Sequence, residues 1–519
     1  CITGTSIGSL IGALSACGYT GLEIEQIAKS VDYDKAFNDA VRDRPASFAR
    51  GSLNEPALFR YPEEGPIGLT SGQNLQALVR KFTLLPGYQA DFDFDKLPKR
   101  LRIVATDFLT GEKVVFFNGQ LDRAVRASTS IPYIFQPLPY NNSYLIDGGA
   151  IELVPLDELQ TFQPDISVGI NVGRTLPLEK NQVRSFSEYS LHLFDVLVQS
   201  SMDKNFSKAD LLIDIEPSEN LISEDYMKVQ EFVDQGRALM QKELPHLKSL
   251  LKAAFQKQQK YHIINTVLLG FPAQNTFTLP GNDLSIGEIA QAIYPLLERN
   301  GSISVKLEPV VQDSYELQLT LQPAEYIETI SLTGNSLPFT ADVLKKINSF
   351  KNKHYSASLQ RELRKAILSF YNEQGYILVE ITPSFEHGVL QETIREIPIV
   401  DTSIRGNKFT STAVIDSLLK FTPNEPYNAK KVDRAVQQLY ATELFEYVEP
   451  EITRTEEGVH LTFNLTERPY GMFYANAQYF SPEKRVELDL GHKNNYTFGH
   501  NLQSYLRAVS GPKAELNAG

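Results

Sequence analysis

Three kinds of hydrophobic pattern succeed one another along the chain, and each predicts a different architecture. Near the start, Ile7, Leu10, Ile11 and Leu14 recur at i, i+3, i+4 and i+7, which predicts a helix that buries these four side chains. Gly8 and Gly12 on the same stretch are expected to let that helix lie close to a sheet. The runs "LRIVATDFLTGEKVVF" and Tyr144-Leu145-Ile146 predict strands of that sheet.

After about residue 258 the pattern becomes periodic on a longer scale. "YIETISLTGN" (326–335) and "IPIVDTSIRGN" (397–407) each read as a strand closing on Gly-Asn, and Gly334 and Gly406 lie 72 positions apart. Tyr355 and Tyr427 repeat the same shift, each before a helical stretch, "SLQRELRKAILSFYNEQG" in one copy and "AKKVDRAVQQLYATEL" in the other. Two short strands follow each helix. A weaker copy comes first, running through "IINTVLLG", "SIGEIAQAIYPLLERNG" and "SISVKLEPVVQDSYELQLTLQP". The predicted unit is β-α-α-β-β, a supersecondary module repeated three times. In the last fifty residues the period drops to two: Val486, Leu488 and Leu490 interleave with Glu487 and Asp489, and Leu502 to Ala508 and Ala514 to Ala518 continue in kind. Segments of about ten residues with one apolar and one polar face suit strands of a transmembrane β-barrel.

Candidate chemistry enters at Gly4-Thr5-Ser6-Ile7-Gly8. This G-x-S-x-G marks a sharp strand-to-helix turn that holds a serine hydroxyl clear of the backbone, and side chains at Gly4 or Gly8 are expected to collide in it. Downstream, the strand ending at Ile146 runs into Asp147-Gly148-Gly149, which places a carboxylate at a strand end beside backbone expected to be mobile and uncrowded. No histidine lies between Ser6 and Asp147; His192 is the first of eight. A Ser-His-Asp triad would need an imidazole beside the serine, and His192, in "YSLHLFDVLVQSSM", is expected to be a packed helix residue.

Gly4 to Gly8, the Ala-Ser-x-Ser-Ile-Pro segment from Ala127 to Pro132, and Asp147-Gly148-Gly149 resemble, in order and spacing, the patatin-like phospholipases. The likeness covers about residues 1–250. It implies an α/β hydrolase-like domain using a Ser-Asp dyad, with Ser6 as nucleophile and Asp147 as its base, and with Gly4, Gly8, Gly148 and Gly149 supporting the motif. Asp147 must then be tuned by burial or a strong hydrogen bond, because a free carboxyl is too acidic to be an effective base. The backbone N–H of Ile7 would supply one oxyanion donor. In the family a glycine-rich loop ahead of the serine supplies others. Here the chain starts three residues before Gly4, so the sequence is expected to be a fragment of a longer precursor, inactive as it stands. Cys1 reads as the end of a buried strand rather than as a lipid-bearing residue.

The repeats resemble POTRA domains, and the final strands resemble the opening of the outer-membrane assembly-factor barrel, expected to be cut short as well. The expected organisation is therefore a patatin-like domain over 1–255, POTRA-like repeats over 256–324, 325–395 and 396–468, and the start of a barrel over 469–519. This layout resembles the patatin-type autotransporters of Gram-negative bacteria, which usually carry a single POTRA domain. It implies an outer-membrane-anchored hydrolase of phospholipids or lysophospholipids, with its repeats in the periplasm meeting unfolded outer-membrane or passenger polypeptide. An equal reading takes the repeats as spacers, and the resemblance leaves the enzyme domain either periplasmic or surface-exposed. The alternative is a non-enzymatic assembly or translocation protein carrying a relic domain.

Composition sets outer limits. A net charge of −13 argues against a nucleic-acid partner, since nothing would neutralise phosphates. No run of about 18 apolar residues predicts a transmembrane helix. Two cysteines cannot make a disulfide framework. Serine acylation followed by attack of water calls for no metal and no cofactor.

Overall fold

A computed structural model of the chain describes residues 1–36, 68–173, 192–194, 196, 198, 206–215, 228–257, 259–271, 277–300, 303–311, 314–321, 326–442, 444–467, 471–480, 485–494, 502–510 and 515–518. Its N-terminal sheet starts with β1 (Ile2–Thr5), while β2 (Gly68–Thr70) stands apart from that sheet. β1 runs parallel to β3 (Leu101–Asp107), with Thr5 opposite Val104. β4 (Lys113–Phe116) forms a hairpin with β3. β5 (Tyr133–Phe135) pairs with β2, and β6 (Leu138–Tyr140) leads into β7 (Ser143–Asp147), which returns antiparallel to β3. The order β1-β3-β7-β6 brings the ends of β1 and β7 to either side of β3. β8 (Val168–Asn171) and β9 (Leu211–Asp214) form a separate parallel pair.

Helix α1 (Ile7–Ala16) follows the serine directly. Its buried face is not the predicted one: Ser9, Gly12, Ala13, Leu14 and Ala16 are buried, while Ile7 and Ile11 are 47% and 42% exposed. Close approach to the sheet decides this, since apart from Leu14 the buried positions are filled by small residues. A Cβ on Gly12 would come 3.1 Å from the Ile2 side chain, whereas one on Gly8 would meet nothing within 4 Å. Gly12 is thus the packing glycine, and the crowding expected at Gly8 is absent. α2 (Gly21–Ser30) opens on a reciprocal Thr20–Glu23 capping box. The short α3 (Tyr33–Ala36), α4 (Gln73–Gln89), α5 (Leu121–Ser128), α6 (Leu156–Gln160) and the 29-residue α7 (Val229–Lys257) complete the layer. Leu75, Val79, Leu101, Ile103, Leu121, Val125 and Leu145 share its core.

Three modules follow. The first sets β10 (Lys260–Leu269), β11 (Asp283–Ser285), β12 (Ile303–Val311) and β13 (Ser314–Leu321) against the helix α8 (Ile286–Asn300). One helix rather than two is described there. The second has β14 (Thr329–Thr333), α9 (Ala341–Asn348), α10 (Ala357–Gln374), β15 (Val379–Glu386) and β16 (Val389–Glu396). The third has β17 (Pro398–Arg405), α11 (Thr412–Leu419), β18 (Glu425–Pro426), α12 (Ala429–Ala441), β19 (Phe445–Arg454) and β20 (Val459–Glu467). In each, the first strand lies parallel to the last.

One detail marks all three as the same design. Gly270, Gly334 and Gly406 end the first strand at φ of +78°, +82° and +91°, and a Cβ on each would press on the carbonyl of Leu321, Ile394 and Leu465 in the last strand. A side chain cannot occupy such a position without shifting the sheet. In the second and third modules a glutamate at the last strand's end also caps the turn that follows the glycine: Glu396 accepts from Ser336, and Glu467 from the N–H groups of Lys408, Phe409 and Thr410.

The third module docks on the N-terminal domain. Leu84 and Tyr88 of α4 are buried in the core of that module with Ile399, Val432 and Phe463, and Tyr447 of β19 is buried in the N-terminal core. Between them, Arg80, 4% exposed, pairs with Asp122 at 2.9 Å and reaches Asp433 at 3.5 Å.

The final sheet is an antiparallel meander of β21 (Gly471–Phe480), β22 (Arg485–Asn494), β23 (Leu502–Ser510) and β24 (Glu515–Ala518). The turn-rich stretches "SPEKR", "HKNNYTFGHN" and "SGPK" that the sequence predicts between these strands lie partly outside the described residues. No helix among the described residues is long and apolar enough to cross a membrane.

Candidate active site

Ser6 occupies the single residue between β1 and α1, at φ 53° and ψ −127°. A non-glycine residue at positive φ carries strain of about 1–3 kcal/mol, so the surrounding structure must hold it there. Part of the constraint is Gly4, where a Cβ would lie 2.5 Å from the carbonyl oxygen of Gly8. The turn closes only because Gly4 has no side chain.

Asp147 ends β7 and is 2% exposed. Its Oδ2 accepts from the Ser6 hydroxyl at 2.5 Å, and its Oδ1 accepts from the Gly149 N–H at 2.7 Å. Burial raises its carboxyl from 3.8 to about 6, while the Ser6 and Gly149 hydrogen bonds pull the other way. Desolvation therefore dominates, and the group becomes a stronger base than an exposed aspartate. Both oxygens are engaged, one fixing orientation and the other facing the hydroxyl.

The glycines after Asp147 are crowded rather than free, contrary to expectation. They lie buried in a 3-10 turn (Gly148–Ala150). A Cβ on Gly148 would overlap the Val104 carbonyl, and one on Gly149 would come 3.0 Å from Asp147 Oδ1 and 3.1 Å from Leu153. Their lack of side chains lets the carboxylate pack against β3.

The N–H of Ile7 sits in the first turn of α1, where amides lack intrahelical acceptors and the helix dipole favours negative charge. Ile7 itself exposes apolar surface at this end. His192 is half-buried, and the carboxylate oxygens of Asp147 are bonded to Ser6 and Gly149 instead. Of the segment 60–72, which the sequence suggests as a border of the substrate groove together with 108–117, residues 60–67 lie outside the described residues. No group of three or more His, Cys, Asp or Glu among the described residues could hold a metal ion.

Arg126 was not singled out from the sequence. It is 1% exposed and donates to the carbonyls of Ser71 and Gln136 and to the Ser130 hydroxyl. The Ser130 carbonyl in turn accepts the Asp147 N–H at 2.9 Å. The buried guanidinium thus braces the loop that holds the end of β7. Only its place immediately before the segment Ala127 to Pro132 hinted at this, since no pattern rule anticipates a buried arginine.

Two parts of the chain match known families. Residues 1–159 match the patatin-like phospholipase family, and residues 397–468 match the surface antigen variable number repeat, the POTRA family. The chain carries a patatin-like domain followed by POTRA-like modules. It is 24% identical over 217 residues to the uncharacterized protein YqhO of Bacillus subtilis, a match covering 39% of this chain and 70% of that protein. It is 25% identical over 174 residues to an uncharacterized NTE family protein of Mycobacterium bovis, covering 33% of this chain and 40% of that one. A probable lipid hydrolase of Invertebrate iridescent virus 6 is 26% identical over 165 residues, covering 30% of this chain and 51% of that one. The chain therefore spans about half or less of the length of the latter two relatives. Among solved structures, POTRA1-3 of the periplasmic domain of Omp85 from Anabaena is similar at 16% identity and TM-score 0.31, covering 41% of this chain and 98% of that one. CdiB from Acinetobacter baumannii is similar at 15% identity and TM-score 0.30, covering 43% and 46%.

Proposed function

We propose that the protein is an outer-membrane-anchored serine hydrolase of lipid acyl esters, of phospholipase or lysophospholipase type, acting through Ser6 and Asp147. The observation that carries this reading is the 2.5 Å hydrogen bond from the Ser6 hydroxyl to a carboxylate buried to 2% exposure. Asp147 accepts the Ser6 proton as Oγ attacks the ester carbonyl, and the developing oxyanion is met by the N–H of Ile7. Asp147 then returns the proton to the leaving alcohol, leaving an acyl group on Ser6. Water, deprotonated by Asp147, attacks that ester and releases the fatty acid, and the proton passes back to Ser6. No metal or cofactor enters these steps.

Membrane anchoring rests on the meander β21–β24, read as the first strands of a barrel, and on the three POTRA-like modules, read as periplasmic. β12 and β15 are the outer strands of their sheets and could accept an extended outer-membrane or passenger polypeptide by strand addition. β19, the outer strand of the third module, is laid against the N-terminal domain through Gln120 and the Pro450 carbonyl.

The test is fatty-acid release from phospholipid vesicles by the intact protein and by Ser6→Ala. Loss of release in the variant supports the enzyme. Unchanged release removes this site from the reaction, and absence of release from both favours the assembly or translocation reading.

A further inference from the structure

Ser128, the last residue of α5, is fully buried. Its hydroxyl accepts the N–H of Ser6 at 2.9 Å and donates to the Val104 carbonyl at 2.6 Å. Both partners matter. Ser6 is the strained residue of the turn, and Val104 is its neighbour across the sheet, in register with Thr5. The same Val104 carbonyl is the group against which Gly148 packs, one residue from Asp147. Two residues beyond Ser128, the Ser130 carbonyl holds the Asp147 N–H. The end of α5 therefore grips the backbone of Ser6 with one serine and that of Asp147 with another.

We propose that Ser128 is a positioning residue for the hydrolase reaction, setting the orientation of the nucleophile through its backbone. The proposal rests on the reading of Ser6 as nucleophile. The hydrogen bond at the Ser6 N–H fixes the φ of Ser6, and with it the direction of Oγ. Because the next peptide carries the Ile7 N–H, the same constraint aims the oxyanion donor. Without the Ser128 hydroxyl, the Ser6 N–H and the Val104 carbonyl each lose a buried partner. The turn is then free to relax away from its strained dihedrals, and Oγ moves off the line between Asp147 and the ester. Substrate contacts are untouched, so the loss falls on kcat. Ser128 itself touches neither the substrate nor the reacting atoms.

The experiment compares the intact wild-type protein with Ser128→Ala, Ser128→Cys and Thr129→Ala. Readouts are kcat and KM on a soluble short-chain ester and the rate at which a fluorophosphonate probe labels Ser6. Cysteine keeps nearly the volume of serine but is a poor acceptor, so it separates the hydrogen bond from packing and serves if the alanine variant does not fold. Thr129 is the control: it is buried beside Ser128, yet among the described residues its hydroxyl bonds to the Val125 and Arg126 carbonyls of its own helix. Ser128→Ala and Ser128→Cys are expected to lower kcat and the labelling rate at least tenfold, with KM within twofold. Thr129→Ala is expected to stay within twofold on all three. Wild-type rates in either Ser128 variant, an equal loss in Thr129→Ala, or a loss confined to KM would overturn the proposal. A wild-type protein that neither turns over ester nor takes the probe at Ser6 would instead overturn the nucleophile reading beneath it.

Discussion

The guanidinium of Arg454, in the third POTRA-like module, lies 4.7 Å from the ring centroid of Tyr88, in the patatin-like domain, and donates to the Tyr88 carbonyl at 3.1 Å. Tyr88 is fully buried, although it sits on a helix whose earlier turns, at Leu75 and Val79, belong to a different core. One helix thus serves two domains, and the last module is held to the patatin-like domain by apolar burial together with polar contacts such as Arg454 to Tyr88 and Arg80 to Asp433.

That arrangement predicts a shared unfolding transition. Tyr88→Ala removes a buried aromatic side chain and should cost about 3–5 kcal/mol, the range for large-to-small changes in a core. Calorimetry should show a lower Tm for both domains together. Limited proteolysis should find new cuts in the third module, although the substitution lies in the first domain. A melt affecting only the N-terminal domain would contradict the shared core.

Glycine positions divide into two groups by what a side chain would meet. Gly4→Ala, Gly148→Ala and Gly406→Ala each place a methyl against a backbone carbonyl and are expected to lower the Tm markedly or prevent folding. Gly8→Ala meets open space at a helical position and should leave the Tm unchanged or raise it slightly, since alanine is favoured over glycine in a helix by about 0.8–1.0 kcal/mol. Thermal melts of the four variants check the division.

Much of this was legible in the sequence, and the failures have physical causes. Ser6 and Asp147 stood out because each lies in a motif with glycines at fixed offsets, and the structure brings them into hydrogen-bond contact from 141 positions apart. The repeats were legible from Gly334 and Gly406, whose shared φ and shared carbonyl neighbour explain their recurrence. The buried face of α1 was misread because Ile7 and Ile11 outweigh Ser9, Gly12, Ala13 and Ala16 on any hydropathy scale. A helix pressed onto strands selects for size instead. The docking of Leu84 and Tyr88 left no pattern at all, because periodicity shows that a residue is buried and not which domain buries it. Glu396 and Glu467 did carry a signal, a glutamate closing the last strand of successive repeats, which the strand pattern overshadowed.

The buried carboxyl of Asp147 predicts a pH dependence in both rate and stability. As a base it must be ionised, so kcat/KM should rise with pH through an apparent value near 6. For stability the sign is opposite. The folded protein holds this proton over the window from 3.8 to about 6, where the unfolded chain has released it. Stability therefore falls as pH rises through that window, by up to about 3 kcal/mol for a shift of roughly two units. Asp147→Asn removes this dependence. It should melt higher than wild type at pH 8, show no gain at pH 4, and have lost hydrolysis. Equal melting at both pH values would contradict the assignment.

The most direct measurement is the covalent one: incubate the intact protein with a fluorophosphonate probe, digest it, and locate the adduct by mass spectrometry. The account predicts one stoichiometric adduct, on the peptide carrying Ser6, forming faster as pH rises through about 6 and lost in Asp147→Asn. An adduct on another serine, or labelling of Ser6 that is indifferent to Asp147, would contradict it.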